Sequence, residues 1–320
     1  MRLRGMNTSS SRQGPVWLTS GALAVAVLAV SSSAPLIAFA TAPALAVAFW
    51  RNGLAAAALT PITLGPRRQE LLGVRRNEVL FCVLAGVALA AHFGTWMPSV
   101  QLGTVATSAA LVATQPVWQG VIAAAQGRHP SPAGWAGIGL AVAGAAWATG
   151  ADVAVSGQAV LADALALAGG VFAAVYTALG ERARVRLSTT TYTWICYGTC
   201  GVLLLVVCLV AGVPLAGYNG QTWAAILAIV VGAQLLGHSM FNYALQRTSA
   251  TTVSVLILLE VPGAALLAWL WLGQTPRSTA LPGLALLVAG VAVVVVGGAS
   301  RSGQADATAS LADAADPSSR

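Results

Sequence analysis

Ten runs of about 20 mostly apolar residues, each long enough as a helix to cross the roughly 30 Å hydrocarbon core of a bilayer, dominate this sequence. They lie near 16–40, 42–64, 79–100, 103–125, 133–150, 159–180, 190–213, 220–245, 249–272 and 279–298. Strands of a membrane barrel would alternate polar and apolar residues, and these runs do not, so the chain reads as an all-α integral membrane protein of ten transmembrane helices. Only 8% of the 320 residues are charged and 57% are hydrophobic, against about 25% charge in a soluble domain. The expected solvent is lipid. A soluble enzyme, a secreted disulfide scaffold and a disordered chain are excluded together.

The net charge of +7 comes from 16 basic residues, every one an arginine. Their positions exclude a nucleic-acid stripe, because they gather in the short breaks between apolar runs. With the N-terminus placed in the cytoplasm, 14 fall on cytoplasmic segments, Arg277 alone on the opposite side and Arg51 inside a span. That split predicts a multi-pass protein of the cytoplasmic (cell) membrane with both termini inside. The polar segments are short: 1–15 is a cytoplasmic N-terminal segment and 299–320 an Ala-, Ser- and Asp-rich tail expected to be disordered. Ala38-Phe39-Ala40 resembles a signal cleavage site, but the apolar stretch before it is longer than a signal core, and the run reads as a retained span. Within it, Pro35 after Ser31, Ser32 and Ser33 predicts an interrupted helix whose freed backbone groups the hydroxyls satisfy. The cysteines, Cys82, Cys196, Cys200 and Cys208, sit in apolar runs and read as packing residues rather than metal ligands.

An internal repeat is the most specific signal. Gln101 aligned with Gln246 places Gln115 on Glu260; Gly127 aligned with Gly273 places Gly137 on Gly283 and Gly144 on Gly290. One inserted residue joins the two registers. The halves, 16–150 and 151–298, are therefore expected to be homologous units of five spans. Five is odd, so the second enters the membrane inverted, an architecture of transporters.

Ala48–Ile62 (AFWRNGLAAAALTPI), Thr107–Gly120 (TSAALVATQPVWQG), Trp135–Trp147 (WAGIGLAVAGAAW) and Ser249–Gln274 (SATTVSVLILLEVPGAALLAWLWLGQ) resemble the EamA family of the drug/metabolite transporter superfamily. The resemblance covers nearly the whole chain outside the tails. It implies a ten-helix bundle of two inverted repeats that moves small metabolites, often exporting amino acids or related solutes. One departure is that Val261 separates Glu260 from Pro262, where members often carry Glu-Pro.

Polar groups inside spans are costly and so mark candidate sites. Gln234, His238 and Asn242 recur every four residues, one helical face; Thr104, Ser108, Gln115 and Gln119 form another, and His92, Trp96 and Ser99 a third. Bonding between helices is the alternative to a wet cavity for each of these faces. His92 and His238 occupy corresponding spans and suit either a proton-carrying pair or two neutral, satisfied imidazoles. Trp96, Trp118, Tyr176 and Trp194 are candidates for stacking on a solute, against the usual role of Trp as an interfacial anchor. Arg51 lies too deep to snorkel and suits an anionic or zwitterionic solute, or the cap of a broken helix. Asp163 is expected to cap the start of the sixth helix. Glu260, deep in the ninth run opposite the neutral Gln115, is the candidate for proton coupling, since low dielectric favours a protonated carboxylate; a fastening role, paired with Arg51, is the alternative.

The substrate path is thus expected at Arg51, His92, Trp96, Gln115, Tyr176, Gln234, His238 and Asn242. The expected partners are a small-molecule substrate, protons and the lipid bilayer, with neither cofactor nor metal nor nucleic acid, in a monomer or homodimer. With no phosphate loop to use ATP, the energy must come from solute or ion gradients. The main expectation is a secondary transporter that exports metabolites; its alternatives are an importer or nucleotide-sugar exchanger of the same superfamily, or a membrane-embedded enzyme or receptor, for which no catalytic motif speaks. Reporter fusions test the topology. Fusions after residues 70 and 185 will report a cytoplasmic location, and those after 155 and 215 an external one; an external signal after 70 contradicts both the orientation and the repeat phase.

Overall fold

The computed structural model describes residues 16–103, 108, 111–149, 157–272, 278, 281–294 and 296. The terminal segments and Thr104 lie outside the described residues. Regular structure among the described residues is helical: α1 (Val16–Ser31), α2 (Ser33–Phe39), α3 (Ala44–Leu64), α4 (Arg68–Leu72), α5 (Arg76–Leu102), α6 (Gln115–Ala125), α7 (Pro132–Thr149), α8 (Gly157–Ala183), α9 (Thr189–Val210), α10 (Gly220–Ile229), a π-helical stretch (Val230–His238), α11 (Ser239–Ala244), α12 (Ala250–Ile257), α13 (Glu260–Leu272) and α14 (Leu281–Val294). Six helical segments, Trp17–Ile37, Ala44–Leu64, Arg76–Leu102, Gly157–Ala183, Thr189–Val210 and Gly220–Ala244, are long and apolar enough to cross a membrane; shorter apolar helices accompany them. Large apolar side chains such as Leu28, Val202, Leu209 and Leu270 are exposed on the outside of the bundle, as lipid-facing residues are.

Three helices are broken, and each break has a local cause. The first run is interrupted at Ser32, three residues before Pro35, whose ring and missing N–H disfavour a continuous helix. The Ser31 and Ser32 hydroxyls donate to the carbonyls of Val27 and Ala29, both at 2.7 Å. The fourth run is not the single helix expected from its face of Thr104, Ser108, Gln115 and Gln119: a turn at Ala113-Thr114 precedes α6, whose second residue is Pro116. The ninth run turns at Leu258-Leu259, and α13 begins at Glu260 with Pro262 in its first turn. Pro116 and Pro262 thus sit where a missing N–H costs least, in a first turn. A further correction concerns Asp163. Because α8 begins at Gly157, Asp163 falls almost two turns inside it and caps nothing.

Close packing rests on glycine. A Cβ on Gly144 would stand 2.4 Å from the Leu287 backbone N and 2.7 Å from the Gly283 carbonyl O; one on Gly290 would stand 2.4 Å from the Ala141 N and 2.6 Å from the Gly137 O. Without side chains there, α7 and α14 touch backbone to backbone.

Contacts between connections define two ends. At one end Glu70 accepts from the Ser188 N–H at 2.6 Å, Arg186 pairs with Glu78 at 3.3 Å, and Arg128 pairs with Glu181 at 2.7 Å. At the other, the Thr41 and Thr222 hydroxyls meet at 2.8 Å, and the Gln158 amide donates to the Leu102 carbonyl at 3.0 Å. The described arginines outside the spans gather at the first end. Four cysteines are free and buried, and no group of metal-ligating side chains occurs among the described residues.

Candidate functional site

The helix breaks converge on a cavity of about 420 Å3, within the range of small-molecule sites. Arg51 of α3, His92 and Trp96 of α5, Gln115 of α6, Tyr176 of α8, His238 at the end of the π-helical stretch, Asn242 of α11 and Glu260 of α13 all line it. Gln115 and Glu260 hold the same position in their elements, the first residue after a break. Carbonyls and N–H groups freed at such breaks supply polarity without further charged side chains.

Arg51 is 1% exposed and eight residues into α3, a depth of roughly 11 Å along the helix. Its Nε donates to Gln234 Oε1 at 2.8 Å, and Gln234 Nε2 in turn donates to Asn52 Oδ1 at 3.0 Å. The guanidinium carbon stands 4.1 Å from the centroid of the Phe93 ring, a cation–π contact. Its two terminal nitrogens, Nη1 and Nη2, are buried without a hydrogen-bond partner among the described residues. A guanidinium offers a planar fork to a carboxylate or phosphate. Arg51 lines the cavity with its fork buried just behind the surface, and Glu260, another lining residue, forms no ion pair with it.

Most of the other polar groups on the wall are held by hydrogen bonds. His92 Nδ1 lies 2.9 Å from the Gly169 carbonyl O, which only accepts, so Nδ1 carries a proton and donates it there. The ring stacks on Trp96 with centroids 5.6 Å apart and planes 9° from parallel. The Trp96 Nε1–H is buried without a partner among the described residues. Asn242 Nδ2 donates to the Tyr176 hydroxyl at 2.6 Å, and Gln115 Nε2 to Thr177 Oγ1 at 3.2 Å. His238 packs edge-on against Phe93 at 5.7 Å. The two histidines, expected as a pair, share the cavity with Phe93 in contact with both rings.

Two sequence expectations need correction. Gln234 does not line the cavity but stands behind Arg51, because the π-helical turn advances more than four residues and breaks the shared face with His238 and Asn242. Trp118 and Trp194 are also off the wall; their indole N–H groups donate to Thr114 Oγ1 at 3.2 Å and Thr60 Oγ1 at 3.0 Å. The sequence reading missed Asn52 and Thr177, polar in-span residues that the cost of burial alone could have flagged. It also missed Phe93, an aromatic among many apolar neighbours with no signal of its own.

A model of the EamA-like transporter family matches residues 15–150 and, a second time, residues 160–296. An uncharacterized transporter of Archaeoglobus fulgidus is 25% identical over 247 residues, which is 76% of this chain and 79% of that one. A crystal structure of another protein superposes with a TM-score of 0.71, covering 88% of this chain and 97% of the other at 19% identity, a likeness of fold alone.

Placement on the wall is measurable by thiol chemistry. In a background without native cysteines, Arg51→Cys, His238→Cys and Asn242→Cys will react with a small polar thiol reagent, while Gln234→Cys will react at least about tenfold more slowly, as a buried thiol is protected from reagent. Equal rates at Gln234 and Asn242 contradict the layer described here.

Proposed function

The chain belongs to the EamA-like transporter family, and on that premise we propose that this membrane protein is a secondary transporter that exports small zwitterionic or anionic metabolites, amino acids among them, in exchange for protons. The Arg51 guanidinium, buried beside the cavity with two nitrogens that have no partner among the described residues, carries this reading. A solute carboxylate fits its two free nitrogens in the bidentate geometry that makes such pairs strong. A solute ammonium fits Glu260 on the lining of the same cavity, so a zwitterion pairs with both groups at once. Trp96 and Tyr176 then cover the apolar part of the solute.

The alternating-access frame we infer is ten spans in two inverted repeats, 16–150 and 151–298, with the cavity between them. The double match of the family model supports it. So do the glycines: Gly137 and Gly283 are equivalent, as are Gly144 and Gly290, and the contacts run crosswise, Gly137 to Gly290 and Gly144 to Gly283. A two-fold axis between α7 and α14 requires that crossing. The equivalent amides perform the same task as well. Gln101 Nε2 donates to the Ala42 carbonyl at 3.3 Å, two residues before α3, and Gln246 Nε2 to the Leu187 carbonyl at 3.1 Å, two residues before α9. The arginine-rich end then faces the cytoplasm.

Glu260 breaks the symmetry, since the equivalent position holds the neutral Gln115. In the proposed cycle its carboxyl takes a proton from outside as the solute leaves and yields it to the cytoplasm as the next solute binds. Glu260→Gln keeps the shape and removes the proton site. In liposomes this variant will lose accumulation driven by an imposed pH gradient and keep solute counterflow; a normal response to the gradient ends the coupling role.

A further inference from the structure

A second cavity of about 260 Å3 lies at the arginine-rich end, between the α6–α7 connection and the start of α12. Arg128, His129, Ser131, Ser249 and Thr252 give it a polar wall. Its relation to the central cavity can be read along two helices. On α12, Thr252 lines the second cavity and Val253 the central one. On α6, Gln115 lines the central cavity and Ala123 the second, eight residues further along. Midway between them, four residues from each and on the same helical face, is Gln119.

Gln119 has no exposed surface, and neither its Oε1 nor its Nε2 finds a hydrogen-bond partner among the described residues. A primary amide buried in an apolar bundle with both atoms unpaired is costly, and leucine would fill the same space at no such cost. The amide finds its partners in a state in which something polar, solute or water, reaches it. The neighbouring Gly120 leaves no room for retreat on its side, since a Cβ there would stand 2.7 Å from the Trp135 ring.

One carboxylate fastens the elements that flank the second cavity. Glu181, at the end of α8, pairs with Arg128 through contacts of 2.7 and 3.0 Å and accepts from the Ala250 N–H at 3.1 Å. Gly127, at φ 77°, turns the chain so that Arg128 follows α6 directly into this contact. Glu181 thus ties the α6–α7 connection to the first residue of α12, the two elements that flank the second cavity. Charge-assisted bonds of this kind are stronger than neutral ones, yet they sit at the bundle end where water can replace them.

We propose that the solute path runs from the central cavity past Gln119 into the second cavity, which is a second solute-binding station at the arginine-rich end, with Glu181 as the clasp that keeps the two apart. The station takes the same class of solute as the central cavity and rests on the transport reading given above. The Gln119 amide, unpaired while the clasp is shut, bonds the passing solute and its water when it opens.

The test reads geometry and needs no known substrate. In a background without native cysteines, Ala123→Cys and Gln119→Cys are exposed to a membrane-impermeant polar thiol reagent in inverted vesicles. Ala123→Cys will react with Glu181 present or absent. Gln119→Cys will react slowly with Glu181 intact and at least about tenfold faster once Glu181→Gln is added, the shift expected from losing one charge-assisted contact. Val253→Cys, on the facing helix and central-cavity wall, is an independent reporter should Gln119→Cys not fold, and it will show the same acceleration. Either reporter unchanged by Glu181→Gln, or reacting as fast as Ala123→Cys with Glu181 intact, overturns the proposal. Loss of transport in Arg51 variants with these labelling results preserved concerns the central site alone, so the two readings fail separately.

Discussion

A guanidinium held inside a lipid-facing bundle is the constraint on which the rest of this structure depends. Arg51 cannot reach the interface from its place in α3, and an unpaired charge in hydrocarbon is among the costliest things a span can carry. The fold answers by surrounding it with Gln234, Asn52 and the Phe93 face. It leaves the two terminal nitrogens without a partner among the described residues, beside a cavity. The same need explains why three helices break around that cavity, since breaks supply polar backbone where lipid would not allow it.

The breaks in turn require tight packing elsewhere. Short helix segments such as α6, α12 and α13 gain little from their own length. Backbone contact between α7 and α14 at Gly137, Gly144 and Gly290 closes the bundle beside them. At the arginine-rich end, Glu70, Glu78 and Glu181 each fasten two connections. The bundle is thus held at its ends and broken around its cavity.

Much of this was legible in the sequence because hydrocarbon imposes blunt rules. Apolar length marked an all-helical membrane protein, although six of the ten expected spans are long and apolar enough to cross among the described residues; Pro35 after three serines marked the first break, and the cost of buried polarity picked out Arg51, His92, Gln115, Asn242 and Glu260 before any geometry. What failed did so where local backbone departs from the ideal helix. A π-helical stretch moved Gln234 off the face of His238 and Asn242, and no residue pattern between Val230 and His238 announces it. An α8 start at Gly157 moved Asp163 inside the helix. Gln119 was visible as one of a polar face, but that both its amide atoms stand unpaired between two cavities is a fact of packing.

The account stands on Arg51 as the group that receives the solute. Counterflow in liposomes, with a panel of labelled carboxylate, cationic and neutral solutes, measures this directly on the purified wild type, Arg51→Lys and Arg51→Gln. The account predicts that exchanged solutes carry a carboxylate, that Arg51→Gln lowers their exchange at least about tenfold, as loss of a charge-assisted hydrogen bond does, and that Arg51→Lys retains part of it. Exchange of the same solutes at the wild-type rate by Arg51→Gln would contradict it.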